Sequence, residues 1–200
     1  LEKLMGDLEL FINQDNNIPH LIKIAMMHYQ FEVIHPFLDG NGRVGRLLIT
    51  LYLVDKNILN KPALYLSDYL EKFRSEYYER LTKTRVEDDI VQWIKFFLRG
   101  VIKTAENTRN NFIEIIKLKE KLEEEAKKFG SRSDKTINVI NEFYESPIMT
   151  IKDIVKVTGI PDSTIRNLVR EMIDKEILKE ITGYGRNKKY VLHRYLNIFL

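Results

Sequence analysis

Twelve consecutive residues, His35-Pro36-Phe37-Leu38-Asp39-Gly40-Asn41-Gly42-Arg43-Val44-Gly45-Arg46, carry most of the reactive chemistry in this 200-residue sequence. They bring together one imidazole, one carboxylate, three glycines and two guanidinium groups. Histidine is the side chain that changes charge near neutral pH, which makes His35 a candidate base for a hydroxyl proton. Proline disfavours helix at the residue before it, so Pro36 places His35 at the exit of a helix. Gly40 and Gly42 flank Asn41 where the next helix begins. A helix N-terminus offers unpaired N–H groups and the positive end of the dipole, and neighbours without Cβ let an anion come close, which suits a phosphate. Arg43 and Arg46 share a face of that helix, where both could grip further phosphates. Asp39 is placed to hold Mg²⁺ between phosphate oxygens, a hard cation that prefers such ligands. These are the parts that a phosphoryl- or nucleotidyl-transfer site requires.

Two other readings of the stretch fail on context. Gly40 to Gly45 matches G-x-G-x-x-G, but the dinucleotide fingerprint needs a strand before it, and here a helix and His35-Pro36 precede it. A P-loop would need Gly-Lys-Ser/Thr, which is absent.

The elements that must position these residues read as helices. Apolar spacing predicts one over about Leu4 to Ile12 and a second over about Leu21 to Ile34, with Pro19 near its start, where a missing N–H does no harm. A third, about Gly42 to Val54, is apolar nearly all round, as expected at the centre of a bundle. Ser67, followed by Asp68 and Glu71, reads as the N-cap of a fourth. Another begins near Asp88-Asp89 and includes Trp93, Phe96 and Phe97. From about Thr108 a helical stretch ends in the charged run Lys117 to Lys128, expected to be a connecting helix, and Gly130 to Ser133 reads as a linker.

The pattern then changes. Ile137, Val139, Ile140 and Phe143 mark one helix, and Thr150 with Asp153 caps a second that runs through Val157. After the turn Thr158-Gly159-Ile160-Pro161, Ser163 to Ile173 form a third, with Ile165, Leu168, Val169 and Met172 inward. Strands are expected around Leu178–Ile181 and Tyr190–Leu192, joined by Gly183-Tyr184-Gly185-Arg186-Asn187. This order resembles a winged helix-turn-helix, in which Ser163, Thr164, Arg166, Asn167 and Arg170 would enter a DNA major groove, with Arg186, Lys188 and Lys189 on the wing against phosphates. The same surface could serve a protein partner instead. The expected division is 1–107 for the catalytic domain, 108–130 for the connecting helix and linker, and 131–200 for the winged helix.

A hydrophobic content of 44% supports real cores in both parts. The most apolar stretch, Leu47 to Val54, is far short of the roughly 20 residues a spanning helix needs, so no membrane association is expected. The absence of cysteine excludes a disulfide framework and any Cys-ligated metal, and it suits a cytoplasmic setting. The whole net charge of +3 falls in residues 131–200, a surplus too small to imply nucleic acid by itself. The chain opens on Leu1 in mid-helix pattern, and a natural N-terminus upstream is expected.

His35 to Arg46 matches the signature HPFx(D/E)GNGRxxR at every defined position, and the chain thereby resembles the Fic family. The likeness extends to Phe31-Glu32-x-Ile34, Leu64-Tyr65-Leu66-Ser67 and Tyr77-Tyr78, and covers roughly residues 1–105. It implies a mainly α fold, a Fic-type helical bundle followed here by a small α+β winged-helix domain. It implies a protein adenylyltransferase that moves AMP from ATP to a Ser, Thr or Tyr hydroxyl of a target protein. By the resemblance His35 is the base, Asp39 the Mg²⁺ ligand, Gly40, Asn41 and Gly42 the hole for the α-phosphate, and Arg43 and Arg46 the holders of the β- and γ-phosphates. Phe37 would anchor the loop in the core, and Tyr78 would line the adenosine pocket. Doc-type relatives that phosphorylate carry Lys where Gly42 stands, so Gly42 favours AMP transfer. Arg85 stands where some relatives have an adenine-contacting Asn. His28 reads as a core histidine, and His20 and His193 have no evident partner. The family's inhibitory motif [S/T]xxxE[G/N] has no match here, and its target-clamping flap is expected upstream. The alternative is a DNA-binding regulator with the Fic domain as accessory module. A second copy of the chain as partner is left open.

Overall fold

Apolar residues recurring at three- and four-residue spacing fold the first half of the chain into helices in the computed structural model, which describes residues 1–15, 17–183 and 185–199. They are α1 (Glu2–Asn13), α2 (His20–Ile34), α3 (Asn41–Asp55), α4 (Leu66–Lys72), α5 (Arg74–Glu87) and α6 (Ile90–Lys127). The chain divides into two compact units, Leu1–Arg109 and Asn110–Leu200. The fold is mainly α, with one small sheet in the second unit. No helix among the described residues is long and apolar enough to cross a membrane.

The first unit closes around fully buried side chains from three helices: Ile24, Met27 and Phe31 of α2, Ile49 and Leu53 of α3, and Trp93, Phe96 and Phe97 of α6. Trp93 donates its indole N–H to the Ala25 carbonyl at 2.7 Å, so the ring's one polar group is satisfied in the core. Several sequence expectations are corrected here. The apolar content of α3 does not mean enclosure. It packs along α2 through Asn41, Gly45, Ile49, Tyr52 and Leu53, and leaves Leu47 and Leu51, one turn apart, more than half exposed. Ser67 is not a cap: α4 begins at Leu66, after Tyr65, with no side-chain cap. The helices expected near Asp88-Asp89 and from Thr108 are one, the 38-residue α6. Gly100 does not break it. A Cβ there would lie 2.7 Å from the Tyr69 ring, so glycine is the residue that lets α4 approach.

The second unit comprises α7 (Ser133–Glu145), β1 (Ile148–Thr150), α8 (Ile151–Thr158), α9 (Asp162–Asp174), β2 (Lys179–Glu180), β3 (Lys189–Val191) and α10 (His193–Leu196), with the end of α6. Its core gathers Leu122 and Ala126 of α6 with Phe143, Ile154, Ile165, Leu168 and Met172. The expected capping box is present: Thr150 and Asp153 exchange side-chain and backbone hydrogen bonds at the start of α8. The sheet runs β1-β3-β2 with both pairings antiparallel. β1 is too short for its alternation to show in sequence, and only its register against β3, Met149 opposite Tyr190, defines it. The expected linker at Gly130–Ser133 is instead a tight 3₁₀ turn, Gly130–Arg132, leading into α7. Phe129 beside it is buried and Arg132 is bonded to Glu171 at 2.6 Å. The expected wing turn includes Tyr184, which lies outside the described residues.

Candidate active site

α2 stops where Pro36 requires it to. His35 caps the helix in the left-handed region, φ 50° and ψ 60°, and its N–H donates to the Phe31 carbonyl at 3.0 Å. A non-glycine residue held there costs on the order of 1 kcal/mol or more, and such residues cluster at functional sites. The residue is exposed and lines a cavity of about 350 Å³. Gly40 makes the next turn at φ 86°, a conformation open to glycine, and α3 starts at Asn41. The first helical bond of α3 runs from Val44 N–H to the Gly40 carbonyl, so the amides of Asn41, Gly42 and Arg43 have no acceptor within the helix.

Asn41 holds the loop. Its side chain is buried, and it accepts from the Phe37 N–H at 2.8 Å and donates to the Phe37 carbonyl at 2.6 Å. The anchoring role expected of Phe37 therefore belongs to Asn41. Phe37 is 48% exposed, its ring tilted against that of Phe31 with 6.4 Å between centroids. The side chain of Asn41 is likewise spent on the loop, which leaves its backbone amide for any anion.

The cavity is lined by Glu32 and His35 of the α2 end, Leu38 to Arg43 with Arg46, and Leu70, Glu71, Arg74, Tyr77 and Tyr78 from α4 and α5. All seven motif residues expected at the site, His35, Asp39, Gly40, Asn41, Gly42, Arg43 and Arg46, share this one wall system, as does Tyr78. Asp39 is nearly fully exposed; it accepts from the Gly40 N–H at 2.7 Å and pairs with Arg43 at 3.2 Å. Arg74 pairs with Glu71 at 3.5 Å and lies 5.8 Å from the Tyr78 ring centre. Arg85 does not line the cavity. The site residues missed in sequence are Arg74, Glu71, which was noted only as an acid near the start of the fourth helix, and Glu32 and Tyr77, which were noted only as flanking matches.

Behind the wall, His28 is fully buried, with Nε2 at 3.2 Å from the Tyr77 hydroxyl and its ring stacked on Trp93. Burial holds its imidazole down to about 4, so it is neutral at pH 7. Burial likewise pushes the Tyr77 hydroxyl and the Glu32 carboxyl up, the latter against the pull of His35 and Arg46. Gly45 makes this packing feasible: a Cβ there would stand 2.7 Å from Glu32 Oε1 and 3.1 Å from His28 Nδ1. Gly45→Ala is expected to cost about 1–3 kcal/mol through overpacking, read as a lowered Tm in thermal unfolding.

Of the two other histidines, His20 differs from expectation: it has a partner, the Tyr52 hydroxyl at 2.8 Å from Nδ1, whereas the buried Nδ1 of His193 has none among the described residues. In the second unit Arg166, Asn167 and Arg170 stand exposed on α9, and Arg186 and Lys189 are exposed near β3. Arg166 is already paired with Asp162 on its own helix, and Lys188 with Glu180 at 2.8 Å.

Taken together, the cavity offers helix-end amides, three arginines and an exposed imidazole beside a glycine-lined turn, a set that can bind a polyphosphate and accept a proton from a nearby hydroxyl. Residues 1–53 match the Fic/DOC family. A protein adenylyltransferase Fic from Drosophila grimshawi is 33% identical over 108 residues, 53% of this chain and 21% of that protein. Another protein so named, from Nematostella vectensis, is 32% identical over 115 residues, 56% of this chain and 24% of that protein. The chain thus spans about a quarter or less of the length of these relatives. A crystal structure of a Fic family protein from Desulfovibrio desulfuricans G20 superposes with a TM-score of 0.50 at 24% identity, over 96% of this chain and 54% of that one, a likeness of fold. The sequence likeness lies in the first part of the chain, and it is to Fic/DOC proteins whose named relatives are protein adenylyltransferases.

Proposed function

We propose that the first unit carries a protein adenylyltransferase site that moves AMP from ATP to a Ser, Thr or Tyr hydroxyl of a protein. The observation that carries this reading is the left-handed His35, presented at one cavity with the open N-terminus of α3. His35 takes the hydroxyl proton as the oxygen attacks the α-phosphorus; the new O–P bond forms, the bond to the bridging oxygen breaks, and pyrophosphate leaves with that electron pair. The amides of Asn41 and Gly42 receive the α-phosphate, and Arg43 and Arg46 hold the outer phosphates. Tyr78, more than half exposed on the cavity wall, offers a face for the adenine.

The donor set at Asp39 fits Mg²⁺, which is commonly held by one or two carboxylates together with substrate phosphates, and Asp39 is exposed to the cavity. Bound there, the ion would neutralise phosphate charge. Asp39 would hold the ion, and Arg43, paired with Asp39 here, would be left to the phosphates.

For the second unit we favour a winged-helix arrangement, supported by the order of α7 to β3 and by the three-stranded sheet. Its service as a target-recruiting surface suits the geometry better than DNA binding, because Arg166 and Lys188 are neutralised within the unit. The test of the catalytic reading incubates the protein at its natural length with lysate and either α- or γ-labelled ATP. Label transferred from the α position alone is expected, with the modified residue identified by mass spectrometry. Transfer from the γ position would make the protein a kinase instead.

A further inference from the structure

The cavity contains three arginines and three acids, and only two of the pairs are made. Arg43 is tied to Asp39 and Arg74 to Glu71. Arg46, half-buried, makes no hydrogen bond or ion pair among the described residues, and the remaining acid is Glu32. Oxygen Oε1 of Glu32 is out of reach of solvent and has no hydrogen-bond partner. Both groups flank the same glycine: a Cβ on Gly42 would lie 3.1 Å from Arg46 Nη1 and 4.0 Å from Glu32 Oε1. The other groups around Glu32 are His35 and the neutral His28 on its own helix and the protonated Tyr77 of α5. A carboxylate with one oxygen shielded from water attracts a nearby guanidinium, and with no ion pair made among the described residues the guanidinium N–H groups stay unspent.

We propose that Glu32 is the positioning residue for Arg46, biasing its guanidinium to the space above Gly42 while leaving its donors free for the outer phosphates of a bound triphosphate. This rests on the triphosphate reading of the cavity. Placed close to those phosphates, the Glu32 charge also opposes triphosphate binding in the ground state. Its removal therefore separates affinity from turnover: binding energy that does not fix geometry holds substrate without speeding the transfer. A merely structural carboxylate would lose both together.

The test compares wild type, Glu32→Gln, Arg46→Ala and the double variant, using Mg-ATP and AMP binding by calorimetry, α-label transfer, and thermal unfolding. Glu32→Gln is expected to bind ATP as tightly as wild type or up to about 10-fold tighter and AMP unchanged, while turnover falls about 10-fold or more because Arg46 is no longer held in register. In the Arg46→Ala background the same substitution should change turnover by less than about 2-fold, since the two act as one unit. The proposal is overturned if Glu32→Gln turns over like wild type, if its effect persists undiminished without Arg46, or if ATP and AMP binding fall together with a lowered Tm. Should wild type transfer nothing, the catalytic reading fails, and the Arg46-dependent contrast between ATP and AMP binding still decides the role of Glu32.

Discussion

Replacing His35 with alanine is expected to slow AMP transfer by about 10² to 10⁴-fold, the usual cost of losing a general base, while ATP remains bound. The separation follows from the geometry. The imidazole belongs to the residue that ends α2, whereas the free amides belong to the start of α3 and Arg43 and Arg46 follow on that helix. One complication can be designed away. Alanine is poorly suited to φ 50°, so a lost backbone conformation could mimic a lost base. Asparagine adopts the left-handed region readily and cannot take the proton, so His35→Asn should be as inactive as His35→Ala with a Tm closer to wild type. Calorimetry with Mg-ATP and α-label transfer on both variants make the measurement. Near-normal transfer by either would remove His35 from the mechanism.

Acidification should destabilise the first unit through His28. The folded state keeps this imidazole neutral down to about 4, while in the unfolded chain it protonates near 6.5. Between those values the unfolded state binds the extra proton. The stabilising contribution is therefore complete above about pH 6.5 and is lost as pH falls through 4. The integrated effect is about 3 kcal/mol, a large share of the 5–15 kcal/mol typical of a domain. The only tryptophan of the chain, Trp93, is stacked against His28, so its fluorescence in urea titrations reports on this unit directly. Between pH 7 and pH 4.5, wild type should lose about 2–3 kcal/mol more than His28→Gln does over the same interval. Equal losses would show that the proton goes elsewhere.

How much of this was legible beforehand depended on whether the relevant residues lie together in sequence. His35 to Arg46 could be read because base, carboxylate, glycines and arginines are contiguous, and because a proline and a glycine pair mark the helix ends on either side. The core face of α9 followed from spacing alone, and its Ile165, Leu168, Val169 and Met172 are all buried. The far wall of the cavity did not. Glu71 and Arg74 come from the junction of α4 and α5, and α5 is charged on most of its surface, burying only Tyr77 and Thr84, so it has little periodicity to read. Glu32 could not be singled out either, because an acid two residues before a helix end is ordinarily a solvated one. The close approach of α2 and α3 over Gly45 shields its Oε1 from water. The anchoring role of Phe37 came from the family resemblance alone, and the two bonds of Asn41 to the Phe37 backbone fasten the loop while the ring stays half exposed.

Those two bonds also govern how the site ages. In an unfolded or mobile chain, asparagine followed by glycine loses its side-chain nitrogen readily, as the next backbone nitrogen attacks the amide carbon and closes a ring. Asn41-Gly42 is such a pair, but here both residues lie in the first turn of α3 and the side-chain nitrogen is engaged by the Phe37 carbonyl. The fold thus shields its own most labile bond. Were the amide to hydrolyse, a donor would become a carboxylate oxygen facing a carbonyl oxygen, and the loop that presents His35 would lose its fastening. Chemical wear at this one position would accordingly fall on chains that have opened, and it would leave them without the turn on which the site is built.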